Sequence, residues 1–364
     1  MRQILTIAIA MMFLSTVYAQ EQELRNPLKW PFAANSIWNT PIGDSAVYVH
    51  ANLQPSMKLT VDEDVIVMTP NAPLMPIYYN YAGWDRNKDR CPKEGGLIYE
   101  VPFPDDFVYN SSIWHGLTPN SGLAVLMPDG RTIKQNQPFS RCEKGSYGTS
   151  RFLFPDEDIY GAGITGAHGG SGLSAIGGAL RYWELQPGSE IRHALKINLF
   201  GRKNISKELG GHRWPAPKAD GSYDNVNDGN YYGGSTPACR MGALLAIRPA
   251  DYDSLSEVMQ TEPGKMLLKA FANYGAYLVD NTAWDVWGLI TSIEPEGRFT
   301  DEFKKAWGFD FVPEKGSKWD NDVETIYKNL HVIDNNGPNS IGGGGKRRIA
   351  LAPDFISVTL NSKF

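Results

Sequence analysis

The sequence reads as a mainly β protein, a β-sandwich or jelly-roll-like double sheet with a few short helices. Its 364 residues include 37 glycines and 24 prolines, which cut the chain into many turns and leave few windows long enough for a helix. Several windows alternate apolar and polar residues with the period of two that a strand imposes, whereas helical spacing is clear mainly at residues 263–274. A hydrophobic content of 42% is enough for a substantial core.

Taken in order, residues 1–19 look like a secretory signal, with Arg2 ahead of an apolar run and Val17-Tyr18-Ala19 as the cleavage site. Residues 20–364 are then expected to form one secreted, β-rich catalytic domain, because no linker divides them. No later run approaches the roughly 18 apolar residues of a membrane span. Residues 28–42 read as an extended arm anchored by Trp30, Phe32 and Trp38, and residues 75–89 cluster Tyr78, Tyr79, Tyr81 and Trp84 before a charged loop. Such rings either stack on sugars or pack a core rim. Residues 123–127 and 131–137 read as strands joined by a turn at Pro128-Asp129-Gly130.

The glycine-dense stretch 161–178 suits a backbone-defined loop, and it carries His168. A short strand is expected at 179–185, then a turn at 186–189. In a second strand over 191–200, Ile191, His193, Leu195, Ile197 and Leu199 share one face, and Arg192, Lys196 and Asn198 the other. Residues 210–234 form a long loop, a length usually reserved for function or disorder. Residues 241–247 read as a strand. The helix at 263–274 is followed by Gly275 where a left-handed cap belongs, and residues 276–279 form a strand leading to Asp280. After the glycine run 342–345, a last strand at 356–360 is expected to close a sheet.

Gly172-Leu173, Gly178, Arg181, Glu184, Ile191-Arg192-His193-Ala194-Leu195, Met241-Gly242, Tyr274-Gly275, Asp280, Trp319 and Asp322 together resemble a broad, mostly uncharacterised group of secreted bacterial enzyme-like proteins. The resemblance covers residues 160–335, and Ile-Arg-His-Ala-Leu is its most specific element. It implies an exported enzyme-like domain of the kind found in polymer-degrading bacteria. His168 is not part of the pattern, and so marks either a subfamily chemistry or nothing.

A net charge of -5 with scattered basic residues, apart from Lys346-Arg347-Arg348, argues against a nucleic-acid partner. Three cysteines suggest one disulfide: Cys91 and Cys142 lie in polar, loop-like sequence, while Cys239 adjoins an apolar run and is expected to stay buried and free. No spacing suggests zinc or haem. Asp220, Asp224 and Asp228 could supply oxygens to calcium, although they lack the EF-hand spacing.

An exported, aromatic-rich chain without a cofactor motif most often meets a polysaccharide. Glycoside hydrolysis needs two carboxylates, and Glu184 with Asp280 are the expected pair. Glu184 could equally form a structural salt bridge, and Asp280 could merely brace its loop. A lyase acting on uronates would instead draw on His168, His193, Arg181, Arg213, Lys196 and Tyr232 for a base, a cation and an acid. His193 has a plain alternative as a satisfied core histidine. Arg213, Trp214, Tyr232, Tyr274 and Trp84 are candidate substrate contacts. The glycine loop and the 191–200 strand are expected to wall the cleft, with Arg181 and His193 reaching into it. A non-catalytic carbohydrate-binding or surface protein would use the same aromatics without needing the polar groups to converge.

Overall fold

The computed structural model describes residues 24–111 and 119–356. Strands hold 27% of residues and helices 16%, so sheet sets the architecture, as the composition implies. The first strands are β1 (Tyr48–His50), β2 (Leu59–Val67), β3 (Leu74–Tyr79) and β4 (Leu97–Pro102). Then come β5 (Leu123–Leu126), β6 (Thr132–Ser140), β7 (Gly148–Leu153), β8 (Glu157–Asp158), β9 (Thr165–His168) and β10 (Leu195–Leu199). Helix α1 (Gly201–Asn204), β11 (Leu244–Ala246), α2 (Pro249–Val258) and α3 (Glu262–Asn273) follow. The chain continues through β12 (Ala276–Asn281), β13 (Trp287–Glu294), β14 (Gly297–Arg298), α4 (Phe299–Trp307), α5 (Lys318–Lys328) and β15 (His331–Ile333).

Fourteen strands share one mixed sheet in the order β1-β15-β11-β12-β10-β13-β2-β5-β6-β7-β3-β4, with β14 on β13 and β8 on β6. Both faces are covered, which makes the fold sandwich-like. On one side Leu195, Ile197 and Leu199 of β10 pack with Leu267 and Phe271 of α3 and Val323 of α5. On the other, Ile66 of β2 and Ile290 of β13 join Trp38, Ala167 and Tyr277. A third cluster under β3 and β5 includes Ile77, Val125 and Phe139.

The local chemistry explains where the expected elements form. In the β5–β6 hairpin, Asp129 accepts from the N–H groups of Arg131 and Thr132, both at 2.8 Å, and Gly130 takes φ +65°. Helix α3 is capped by Thr261, which accepts from the Gly264 N–H at 3.0 Å, and Gly275 follows at φ +76°. The Cys91–Cys142 disulfide is formed, with Cα atoms 5.7 Å apart, and Cys239 is buried and free.

Other elements differ. Residues 28–42 are a series of turns rather than an extended arm, with Phe32 and Trp38 as its buried anchors. Residues 179–185 are not a strand: Glu184 N–H donates to the Arg181 carbonyl at 2.8 Å, closing a turn. The expected second strand begins only at Leu195, and it lies between β12 and β13 instead of returning along 179–185. Its alternation is real, yet Lys196 and Asn198 are buried too. The period of two thus separates two buried environments, not core from solvent. Within the glycine loop, β9 and Leu173 make a small hairpin closed by Gly172 N–H on the His168 carbonyl at 3.0 Å. The expected leader at 1–19 and positions 357–360 of the expected closing strand lie outside the described residues. Among the described residues no helix is long and apolar enough to cross a membrane.

Candidate functional site

Sheet register brings distant polar residues to one patch. Asp280 of β12 is opposite Asn198 of β10, Asn198 is opposite Gly288 of β13, and Gly288 is opposite Thr60 of β2. Asp62 follows two residues along β2, on the same face as Thr60. Because Gly288 has no side chain, Asn198 reaches past it, and its Nδ2 donates to Asp62 Oδ2 at 3.1 Å. Asn120, just ahead of β5, donates Nδ2 to Asp62 Oδ2 and to Asp280 Oδ2, both at 2.7 Å. One amide therefore fixes the separation of two carboxylates.

A buried layer lies beneath. Asp64 is two residues beyond Asp62 and Lys196 two residues before Asn198, so both point the same way as the residues above. The Lys196 ammonium donates to Asp64 Oδ2 at 2.8 Å and to the carbonyls of Ser174 at 3.1 Å and Ala175 at 2.6 Å. Three acceptors match its three N–H protons, and burial, which outweighs the attraction of Asp64, leaves its pKa below the ordinary value. Burial opposes the Asp64 charge as well, but Lys196 and then His168 outweigh it and hold that carboxyl below its usual range. His168, fully buried at the end of β9, donates from Nδ1 to Asp64 Oδ2 at 3.2 Å. Among the described residues its Nε2 has no hydrogen-bond partner. Donor atoms of His168, Asp62 and Asp280 all lie within 4.8 Å of one another, an arrangement that could hold a metal ion.

The glycines of the 169–170 tip are what let the carboxylates approach. Gly169 has φ +33°, and a Cβ there would collide with the Asp280 carboxylate; one at Gly170 would collide with Asp220. In their absence Gly170 N–H donates to Asp280 Oδ1 at 3.1 Å. Burial, then the charges of Asp220 and Asp62, push the Asp280 carboxyl up to about 7. Burial also raises Asp220, against the pull of the Tyr232 hydroxyl, which donates to its Oδ2 at 2.6 Å.

Above these groups opens a cleft of about 730 Å³. Asp62, Asn120, Asn198, Asp220 and Asp280 line it, with Lys218 from the 210–234 loop. The indoles of Trp84 and Trp284, 39% and 41% exposed, stand on its walls, and Trp84 is stacked on Phe152 at 5.5 Å between ring centres.

Of the residues singled out from sequence, the cleft gathers Asp280, Asp220 and Trp84, with His168 beneath them and Tyr232 fully buried behind Asp220. Arg181, Glu184 and His193 are not among its lining residues; they form a separate closed cluster. Arg181 makes a bidentate pair with Glu294 at 2.6 and 2.5 Å, and its N–H donates to Glu184 Oε2 at 2.9 Å. His193 donates from Nε2 to Glu184 at 3.0 Å and from Nδ1 to the Ala194 carbonyl at 2.9 Å. Glu184 is therefore the salt-bridged residue that its sequence setting also allowed, and is not the partner of Asp280. Tyr274 is buried in the core at the end of α3, and Trp214 is half-buried against the same core. Arg213 is tied to Asp334 and the Ala238 carbonyl, both at 3.1 Å. Among the described residues, Asp220, Asp224 and Asp228, the expected calcium triad, are not grouped closely enough to hold an ion; Asp224 is exposed, and Asp228 accepts from Asn230 N–H within its own turn at 2.8 Å.

Sequence reasoning passed over Asp62, Asp64 and Asn120, and gave Asn198 no role. One signal was present: residues 59–67 place Asp62, Glu63 and Asp64 inside an otherwise β-branched and apolar strand, where charge is costly unless used. Glu63, on the opposite face, is consumed by Arg298 in a bidentate pair at 2.7 and 2.5 Å.

Compared with protein-family models, with curated proteins and with solved structures, the chain matches nothing.

Proposed function

We propose that this chain is an exported carbohydrate-active enzyme, one catalytic domain after its leader, that cleaves an extracellular polysaccharide as a glycoside hydrolase. The observation that carries this reading is convergence: Asp62, Asp220 and Asp280 meet in a single cleft between two half-exposed indoles. Indoles give a sugar ring an apolar face to stack on, and carboxylates at the cleft floor supply the proton donor and the base or nucleophile of hydrolysis.

Elimination on a uronate needs a cation against the substrate carboxylate. Arg181 and Arg213 are both committed elsewhere, which leaves Lys58 and Lys218 in the cleft for that task and three carboxylates to repel the substrate. Hydrolysis is the better fit. The test is incubation of the mature protein with plant, algal and bacterial polysaccharides, following reducing ends and the absorbance of unsaturated uronates. Reducing ends without the chromophore, lost in Asp280→Asn, are expected. Both signals together mean a lyase, and neither signal with retained polysaccharide binding means a binding protein.

A further inference from the structure

We propose that the cleft binds a divalent cation, with His168 Nε2 and one carboxylate oxygen each from Asp62 and Asp280 as its protein ligands. The inference goes beyond the hydrolase reading and does not rest on it, since cation binding is measured without any sugar.

Geometry comes first. Donors around one ion at ~2.0–2.5 Å lie up to about 4–5 Å apart, and these three fall within 4.8 Å of one another. The second observation is the imidazole itself. His168 is completely buried, a ring nitrogen of it lies within 4.8 Å of an oxygen of each carboxylate, and among the described residues its Nε2 has no hydrogen-bond partner while Nδ1 is taken by Asp64. A buried polar atom left unpaired is destabilising, and native structures keep few of them. A metal ion would satisfy it directly.

The surroundings match what orients ligands at metal centres. Nδ1–H donates to Asp64 Oδ2 at 3.2 Å, which in the neutral ring places the lone pair on Nε2 and fixes the plane of the ring. Lys196, 2.8 Å from the same Oδ2, holds Asp64 in place. Asn120 donates to both ligand carboxylates and so sets their spacing. Asn198 Oδ1 is another buried atom without a partner among the described residues, on the amide whose Nδ2 reaches Asp62, and it offers a third oxygen as a fourth ligand. The remaining positions face the open cleft, where water or a sugar hydroxyl can enter, as at catalytic rather than structural sites. One imidazole with carboxylate and amide oxygens favours a transition cation of the Zn²⁺ or Mn²⁺ kind over Mg²⁺ or Ca²⁺.

The experiment uses the full mature chain without a histidine tag, stripped with chelator and titrated calorimetrically with Zn²⁺, Mn²⁺, Mg²⁺ and Ca²⁺. Binding of one Zn²⁺ or Mn²⁺ per chain is expected, with a raised melting temperature. Asp64→Asn should weaken affinity by about 10–100-fold, the usual effect of losing a ligand's orienting partner, and His168→Gln or Asp62→Asn by at least as much. Asp62 is only partly buried at the cleft floor, so Asp62→Asn keeps the test valid if His168→Gln fails to fold. Absence of stoichiometric binding in the stripped protein overturns the proposal. So does unchanged affinity in Asp62→Asn, or a preference for Ca²⁺ that His168→Gln leaves intact. A polysaccharide assay unaffected by chelator would leave the binding result standing, and loss of cation binding would leave the hydrolase assay to be judged separately.

Discussion

Two buried ionic clusters invite comparison, because each holds a histidine, a carboxylate partner and a long cation, and they differ in what is left over. Around Arg181, Glu184, His193 and Glu294 the polar groups find partners among themselves and nearby carbonyls. Around Asp64, Lys196 and His168, three atoms remain without a partner among the described residues: Asp64 Oδ1, His168 Nε2 and the neighbouring Asn198 Oδ1. The closed cluster resembles a brace, since a fully satisfied polar network fixes one arrangement of the chain. The open one keeps hydrogen-bonding capacity in reserve beside a cleft, a cost that a purely structural cluster would not carry. Charge and burial alone do not separate the two; satisfaction does.

The largest expected effects come from removing the cation of each cluster. Arg181→Met strands Glu294, and Lys196→Met strands Asp64, which is wholly buried. Breaking a buried pair from one side typically costs about 3–5 kcal/mol, so both variants should lose stability on that scale in urea unfolding. The comparison sharpens in activity per folded molecule: Arg181→Met should retain polysaccharide cleavage, and Lys196→Met should lose it. A Lys196→Met protein as stable as wild type would mean that Asp64 is not held as an ion.

Between the histidines the contrast is next in size. His168→Gln should lower cleavage by about 100-fold or more, the scale of a lost participating group, whereas His193→Gln should cleave normally with a modest loss of stability. Equal activity of both variants would erase the distinction drawn from their partners.

The sequence shows why His193 was the more visible of the two. It sits in the Ile-Arg-His-Ala-Leu element, next to a strand whose alternation is readable, and that regularity belongs to architecture. The β5–β6 hairpin and helix α3 with Gly275 were legible for the same reason, because turn chemistry and helical spacing act locally; the disulfide, which joins residues 51 apart, was read instead from the polar, loop-like setting of two of the three cysteines. The candidate site is assembled by non-local pairing. Asp62, Asn198 and Asp280 meet through parallel neighbours β2–β13 and β10–β12, whose register no local pattern encodes. Glycines 169 and 170 were conspicuous, but their reason, two carboxylates pressed against the backbone, exists only once β12 and the 210–234 loop are in place.

The smallest effect tests whether the closed cluster is ionic at all. Both ring nitrogens of His193 face acceptors, Glu184 at 3.0 Å and the Ala194 carbonyl at 2.9 Å, so the cluster is built for the protonated ring. Burial works to lower its pKa, and the nearby Arg181 charge adds to that, but Glu184 with the Ala194 carbonyl prevails and the value is raised. A histidine raised in the folded state stabilises fully below its unfolded pKa of about 6.5, and that contribution fades as pH climbs through the folded value. The stability gap between wild type and His193→Gln, measured by urea unfolding, should therefore be widest near pH 6 and narrow toward pH 9. The Arg181–Glu294 pair is common to both proteins and cancels in the difference. A gap that stays constant, or widens with pH, would show that Glu184 braces a neutral ring, and the closed cluster would then owe its stability to hydrogen bonds and packing in place of charge.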